Sequence, residues 1–149
     1  MWVVGSMNTN QASMNEIHHA LDPQHVARVA GAGNKIVHML DQKADFYVNL
    51  VPGFKYWDLC AGEALLQSMM GVVCDASNKP LVYDENADDY TIQEGIVISK
   101  NKKVFEIAQE RLFDATGNDM MHYQARTQEE VAEYRRQKAA KLAAQKASA

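Results

Sequence analysis

A carboxylate at the start of a predicted helix is the first side chain whose type and position could do chemistry. Asp58 comes shortly after the turn signal Pro52-Gly53. From Leu59 to Met70, apolar residues recur at spacings of three, four and seven, which predicts a helix. Asp58 then lies at the N-cap or in the first turn, beside free backbone amides. It could only cap the helix, or it could face a bound metal ion or an anionic substrate; spacing does not choose between these.

A second candidate is the glycine-rich turn Gly31-Ala32-Gly33, which precedes a predicted helix from Asn34 to about Leu40. Backbone amides at such a helix start can bind an anion, and Lys35 could add positive charge. The alternative is that Gly31 and Gly33 only allow close packing of helix on sheet, with Lys35 solvated. Two glycines without a third are a weak signal for a dinucleotide site.

Other reactive side chains have structural explanations. The acidic run Asp84–Asp89 follows the central helix and is expected to be a solvated loop. His18 and His19 are adjacent on a predicted helix and so point about 100° apart; we expect surface or packing roles rather than a metal site. Cys60 and Cys74 have apolar neighbours and no metal-binding spacing, which predicts reduced core residues.

The elements that must position these residues alternate between strands and helices. Strands are predicted at 2–4, 25–30, 46–51, 71–75, 81–83 and 95–99, with 81–83 at the sheet edge, and helices at 13–21, 34–40, 58–70 and 102–113. This alternation predicts an α/β fold with helices packed on a mixed sheet.

Composition sets the broad class. The 149 residues, 47% of them apolar, can form one globular domain that buries roughly 70% of the unfolded surface. No apolar run is long enough to span a membrane, and the net charge of −4 argues against general nucleic-acid binding. No secretory signal is recognisable. We expect an intracellular protein, and the compartment stays open between the cytoplasm and an organelle such as the mitochondrion.

Two blocks of sequence stand at a distinctive separation. They are Arg28-Val29-Ala30-Gly31-Ala32-Gly33-Asn34-Lys35-Ile36, and then Trp57-Asp58 with Ala61-Gly62, an apolar helix and Gly71. Together they resemble the carboxy-terminal half of the inositol-monophosphatase superfamily, and within it the 3'(2'),5'-bisphosphate nucleotidase branch. The resemblance covers roughly Val3 to Leu112. It implies half of a layered sugar-phosphatase fold, which we assign to residues 1–116.

The resemblance implies a site chemistry. Such phosphatases use two or three magnesium ions, and most of the metal ligands come from the amino-terminal half, including an Asp-Pro-Ile/Leu-Asp-Gly-Thr segment. This chain contains no Asp-x-x-Asp-Gly run. In an active site, Asp58 would bind metal, and Gly31, Gly33 and Lys35 would hold phosphate. We expect no cofactor for this chain alone, and magnesium if a partner completes the site.

Two departures from the family pattern indicate that the residues of the phosphatase site are no longer required to keep their usual types. Asn8-Thr9-Asn10 replaces a Ser-His-Ser type tract that approaches substrate phosphate, and Met70 replaces the first of two glycines. The favoured hypothesis is therefore a catalytically inactive, phosphatase-like accessory subunit of a larger assembly. The alternative is one half of a magnesium-dependent phosphomonoesterase, acting on adenosine 3',5'-bisphosphate or a small inositol phosphate.

Residues 117–149 form a linker and a predicted basic helical extension. From Arg126 onward there are six Lys or Arg against three Glu, about +3, which leaves about −7 for the rest. A helix over 127–147 has a thin apolar stripe and would be marginal alone. We expect other protein subunits to cover this helix and the exposed surface of the half-fold.

Overall fold

The computed structural model describes residues 1–6, 12–50, 52–116 and 136. The remaining positions, which include Asn8-Thr9-Asn10 and nearly all of the predicted tail helix, lie outside the described residues. In chain order the elements are β1 (Trp2–Ser6), α1 (Ala12–Leu21), β2 (His25–Val29), α2 (Ala32–Leu40), β3 (Phe46–Asn49), α3 (Tyr56–Ser68), β4 (Val72–Cys74), β5 (Ile96–Ser99) and α4 (Lys102–Thr116).

The strands form one five-stranded mixed sheet in the order β2-β1-β3-β5-β4. β1 runs parallel to β2 and β3, with Val3 opposite Phe46 and Val4 opposite Tyr47. β5 is antiparallel to both β3 and β4. Strands β1 to β4 therefore point the same way, and their carboxyl ends meet at one edge of the sheet. We call this the carboxyl edge.

Helices cover both faces of the sheet, because successive strand side chains point to opposite sides. Val3, Phe46 and Val48 pack with α1 and α4, whereas Val4 and Tyr47 pack with α2 and α3. The helices contribute buried side chains to these two cores: Ile17, Leu21, Phe105 and Ala108 to the first, and Ile36, Met39, Leu59 and Leu66 to the second. The predicted α/β class with a mixed sheet is confirmed as a three-layer arrangement.

Helices α2 and α3 approach each other closely at Gly62. A Cβ atom added there would lie 2.4 Å from Ile36 Cδ1 and 2.8 Å from Ile36 Cγ2. Such distances are shorter than van der Waals contact, so the pairing requires glycine. Since α2 begins just beyond β2 and α3 beyond β3, this contact also fixes how the two helix starts lie relative to each other.

Helix α3 ends at Ser68, two residues earlier than predicted. Gly71 N–H donates to Leu66 O at 2.7 Å and Met70 N–H to Gln67 O at 3.0 Å, the two hydrogen bonds of a Schellman motif. Met70 occupies the left-handed position of that motif, with φ 64°. Glycine is the usual residue there, because a Cβ is unfavourable in this conformation.

The strand predicted at 81–83 is wrong. Within the described residues this stretch makes no ladder, and Val82 is 76% exposed. Its apolar composition favours a strand, but a strand also needs a neighbour with which to pair. The connection between β4 and β5 instead pairs with the chain before α3: Tyr56 N–H donates to Tyr90 O at 3.0 Å, and Ile92 N–H to Phe54 O at 2.8 Å. No helix in the described part is long and apolar enough to cross a bilayer.

Candidate functional site

Asp58 lies in the first turn of α3, at the third helical position. Its Oδ2 accepts a hydrogen bond from Lys55 N–H at 2.8 Å, and its own N–H donates to Lys55 O at 2.9 Å. The carboxylate therefore stabilises the helix start, where the helix dipole also favours negative charge. The other oxygen, Oδ1, makes no hydrogen bond to the residues that the structure describes, and the side chain is half-buried. One oxygen caps the helix, and the other has no hydrogen-bond partner among the described residues.

Lys55 is a positioning residue that the sequence analysis missed. It is the N-cap of α3, and its Nζ forms an ion pair with Asp89 Oδ1 at 2.9 Å and also donates to Thr91 Oγ1. Hydrogen bonds from Thr91 and Lys55 hold the pKa of the Asp89 carboxyl well below its usual range. The acidic run 84–89 is exposed, as predicted, apart from Ala87. Lys55 lies three residues before Asp58, at the position where a helix-capping residue belongs. This spacing is the signal that could have identified Lys55.

Gly31 is the N-cap of α2 and has φ 81°, a conformation that residues with a Cβ rarely adopt. The helix starts at Ala32, two residues earlier than predicted. At Gly33 an added Cβ would meet nothing within 4 Å among the described atoms. The two glycines therefore differ: backbone conformation requires the first, whereas the second leaves open space beside the helix start. Gly33 does not support the close-packing interpretation.

Lys35 is buried, with 4% of its surface exposed, so the expectation that it is solvated is wrong. Its Nζ donates to Gly31 O at 3.0 Å and lies 5.7 Å from the centroid of the Tyr47 ring. Burial lowers the pKa of the ammonium, while the carbonyl and the aromatic face partly compensate for the lost water. The positive charge is held against the α2 start by the protein's own groups.

Tyr47 is a second residue that the sequence analysis did not single out. It is 1% exposed, and its hydroxyl has no hydrogen-bond partner among the described residues. Burial raises its pKa well above the usual range. A tyrosine in the predicted buried strand β3, between Phe46 and Val48, was the available signal. Because the Lys35 ammonium lies near its ring, Tyr47 contributes to the electrostatics of the α2 start.

The topology brings the two candidate sites to the same place. α2 begins where β2 ends and α3 begins after β3, so both helix starts lie at the carboxyl edge, on the same face of the sheet. In open α/β sheets, ligands bind outside the carboxyl ends of the strands. Asp58 and the turn at Gly31–Lys35 are thus placed on the side of the sheet where a site is expected.

The described residues do not by themselves form a metal site. Among them, no three His, Cys, Asp or Glu side chains are grouped to hold a metal ion. Magnesium takes six oxygen ligands in near-octahedral geometry, some of them water. Asp58 Oδ1 could serve as one oxygen ligand, but the described residues do not fit a complete magnesium site.

The two histidines have separate environments. His18 packs against β1, where a Cβ added at Gly5 would lie 3.2 Å from its Cε1. Burial, and then the charge of Arg28, lower the pKa of His18. His19 is exposed. These are the packing and surface positions expected from the sequence.

The prediction of reduced core cysteines is confirmed for Cys74 and wrong for Cys60. Cys74 is buried, and burial, with smaller contributions from nearby acids, raises the pKa of its thiol to about 12. Cys60 is exposed, so its assignment to the core is wrong. The buried face of α3 is formed by Leu59, Glu63 and Leu66, and Cys60 lies beside that face rather than on it.

Comparisons with known proteins agree with this architecture. The model of the inositol monophosphatase family matches residues 2–113. The rat 3'(2'),5'-bisphosphate nucleotidase 1 is 46% identical over 66 residues, which is 44% of this chain and 21% of the relative. The protein of that name from Dictyostelium discoideum is 30% identical over 80 residues, 54% of this chain and 26% of the relative.

Solved structures show the same fold. The structure of CysQ from Bacteroides thetaiotaomicron, a bacterial member of the inositol monophosphatase family, aligns with a TM-score of 0.56 and 21% identity, covering 68% of this chain and 38% of that one. This chain therefore spans about a fifth to a quarter of these curated relatives, and about two fifths of the solved protein. The family match extends over most of its length, and the chain belongs to the inositol monophosphatase family.

Proposed function

We propose that this chain supplies the carboxy-terminal part of a magnesium-dependent phosphomonoesterase site of the bisphosphate nucleotidase type. The remaining carboxylate ligands would come from an amino-terminal half. One observation carries the proposal: Asp58, with one oxygen fixed by Lys55 and the other without a described partner, lies at the same sheet edge as the Gly31–Lys35 turn. The sequence identity with the rat 3'(2'),5'-bisphosphate nucleotidase 1 supports a bisphosphate nucleotide as the substrate class.

Each residue has a definite role in this proposal. Asp58 Oδ1 would be one metal ligand, held in direction by the hydrogen bond from Lys55 to Oδ2. The backbone amides at the start of α2 would bind a phosphate oxygen, and Gly33 leaves space for it. Bound magnesium would neutralise phosphate charge and lower the pKa of a coordinated water. Without the other half, we expect the chain to release no phosphate.

An amino-terminal half also needs a surface to cover. Large apolar side chains are exposed on the two helices that begin at the carboxyl edge: Val37 on α2 is 47% exposed, and Leu65 on α3 is 54% exposed. Met69, just beyond α3, is 49% exposed. Exposed apolar groups of this kind mark sites where another protein layer packs. We propose this surface as the docking site of such an amino-terminal half.

The test is complementation. The full chain is coexpressed with the amino-terminal half of the rat nucleotidase, and the purified pair is assayed for phosphate release from adenosine 3',5'-bisphosphate with and without magnesium. We expect copurification and magnesium-dependent release. Asp58→Asn keeps an oxygen that can cap the helix but loses the charge, so activity should fall by about 100-fold or more.

Asp41→Asn is the matched control, because Asp41 is exposed beyond the end of α2 and pairs only with the exposed Lys43 among the described residues. This variant should keep full activity. A pair that copurifies yet releases no phosphate would contradict the catalytic proposal, and failure to copurify would contradict the proposed surface.

A second candidate function is an accessory subunit without catalysis. Two observations favour it: the Lys35 ammonium already donates to Gly31 O inside its own turn, and Met70 occupies a position with left-handed backbone that the family usually fills with glycine. An inactive but stable pair in the complementation assay would support this candidate.

A further inference from the structure

A groove lined by four aromatic rings lies beside the start of α3, and its rings have no part in the proposed phosphatase site. The rings belong to Tyr56, Trp57, Tyr83 and Tyr90, and the volume of the groove is about 320 Å³. That volume is at the low end of the range for small-molecule sites. Trp57 is 65% exposed, and Tyr83 and Tyr90 are each 37% exposed, so a ligand can reach the rings from solvent. We call this surface the aromatic groove.

The rings stand at steep angles to one another. Tyr56 lies 5.2 Å from Tyr83 at 88° and 5.7 Å from Tyr90 at 71°, measured between ring centroids and ring planes. Trp57 lies 6.0 Å from Tyr90 at 53°. Neighbouring rings therefore form walls instead of a flat stack. Because a cation is attracted to a ring within about 6 Å of its centroid, these spacings let one cation interact with at least two rings at once.

Hydrogen bonds hold the rings in place. The Tyr83 hydroxyl donates to the buried Glu63 carboxylate. The Tyr90 hydroxyl donates to Glu85 O at 3.1 Å, and the Tyr90 carbonyl accepts from Tyr56 N–H at 3.0 Å. The aromatic groove is thus ordered before a ligand arrives, which lowers the entropy cost of binding.

The rim of the aromatic groove is acidic. Asp84 and Glu85 line it and are exposed, and no Lys or Arg is among its described lining residues. The Glu85 carboxylate makes no hydrogen bond or ion pair with the other described residues. The chain as a whole carries a net charge of −4, so the electrostatic field at the rim attracts a cation and repels an anion.

The surface inside the aromatic groove is almost entirely apolar, and this selects among cations. A primary ammonium or a guanidinium carries N–H donors that need acceptors when they lose water. A trimethylammonium group carries no N–H donor, and its positive charge is spread over an apolar surface of methyl groups. Aromatic rings are the side chains that recognise quaternary ammonium groups of this kind.

We propose that the aromatic groove binds a free small molecule that carries a trimethylammonium group, as choline does. The methyl groups contact Trp57 and the tyrosine rings, and the carboxylates of Asp84 and Glu85 attract the charge. This site does not rest on the phosphatase assignment, since it uses neither Asp58 nor the turn at Gly31.

Trp57 is the reporter for the test. In a full-length Trp2→Phe background Trp57 is the sole tryptophan, and its fluorescence is titrated with choline. The neutral alcohol 3,3-dimethyl-1-butanol has the same shape as choline, with carbon in place of the charged nitrogen. We expect choline to bind about tenfold more tightly than this alcohol. Equal affinities, or no saturable change with choline, would overturn the proposal.

Charge and ring variants locate the site. D84N/E85Q removes the rim charges with little change in side-chain shape, and should weaken choline binding about fivefold while leaving the alcohol unchanged. Tyr90→Leu keeps an apolar side chain but removes a ring, and should also weaken choline binding. The matched control E106Q/E110Q removes two exposed charges from α4, on the opposite face of the sheet, and should change neither affinity. An equal loss in the control and in D84N/E85Q would contradict a site at this rim.

Two further probes separate a free ligand from other carriers of the same group. A short peptide with trimethylated lysine, and phosphatidylcholine vesicles, are each added in place of choline. We expect the peptide to bind no more tightly than choline and the vesicles to leave the chain in solution. A peptide bound at least tenfold more tightly than choline, or sedimentation of the chain with the vesicles, would assign the aromatic groove to a protein partner or a membrane and would overturn the proposal.

Discussion

Replacing Met70 with glycine should stabilise this protein. Met70 has φ 64° and is 79% exposed, so its side chain adds left-handed strain with few packing contacts in return. A residue with a Cβ in this conformation costs about 1–2 kcal/mol. Glycine avoids that cost but loses more backbone entropy on folding, about 0.5–1 kcal/mol. The difference predicts an increase of about 1 kcal/mol in the free energy of unfolding for Met70→Gly.

The neighbouring residue provides a matched control. Met69 has φ −99° and is 49% exposed, so its backbone is unstrained and its side chain packs partly. Met69→Gly should lower the free energy of unfolding by about 0.5–1 kcal/mol from entropy alone. Identical chemical changes at adjacent positions should therefore act in opposite directions.

Urea denaturation followed by far-UV circular dichroism measures both effects. With a slope of about 2 kcal/mol per M, Met70→Gly should move the midpoint up by about 0.5 M, and Met69→Gly should move it down. Met70→Asn should lie between Met70→Gly and the parent protein, because asparagine tolerates the left-handed region. If both glycine variants lower the midpoint, α3 does not end in a Schellman motif with Met70 left-handed, and the reasoning is refuted.

Three further predictions follow from the described contacts. Gly62→Ala should destabilise the protein, because overpacking against Ile36 costs about 1–3 kcal/mol and alanine gains only about 1 kcal/mol in helix propensity. Adding Ile36→Val to this variant should recover part of the lost stability, measured by urea denaturation. Burial lowers the pKa of Lys35 in the folded protein, so the unfolded chain binds this proton more tightly than the folded protein does. The contribution of Lys35 to the free energy of unfolding therefore rises with pH between its folded and unfolded pKa values. The stability of Lys35→Met relative to the parent should therefore be greater at pH 7 than at pH 10.5, and a constant difference would contradict the lowered pKa. A thiol reagent such as DTNB should modify the exposed Cys60 rapidly and the buried Cys74 only on unfolding; Cys60→Ser should abolish the rapid phase.

Much of the sheet could be predicted because its strands are continuous apolar runs between turn signals. Phe46–Asn49 and Ile96–Ser99 are buried on both faces, and such strands show clearly in sequence. The segment 81–83 has the same residue types but no neighbouring strand in the described sheet. Composition reports the preference of a segment, whereas pairing depends on residues far away in the chain.

The side-chain environments were harder to predict, because adjacent positions of one helix can point into the core or into solvent. Leu59 is buried and the adjacent Cys60 is exposed, although both lie in one apolar stretch of a helix. Lys35 was expected to be solvated or near a phosphate, but its ammonium instead donates to the carbonyl of Gly31, a residue with positive φ. The burial of a lysine depends on a backbone conformation that the residue types permit without specifying it.

Asp58 shows why the sequence could not choose between a structural and a functional role. The spacing was compatible with a helix cap or with a metal ligand, and a carboxylate has two oxygens. Oδ2 is used by the Lys55 amide, and this hydrogen bond fixes the direction of Oδ1. A metal ligand needs such an outer partner to hold its geometry. In the proposed site, capping would therefore orient the carboxylate for metal coordination, and a change that keeps the cap and removes the charge, such as Asp58→Asn, separates the two roles.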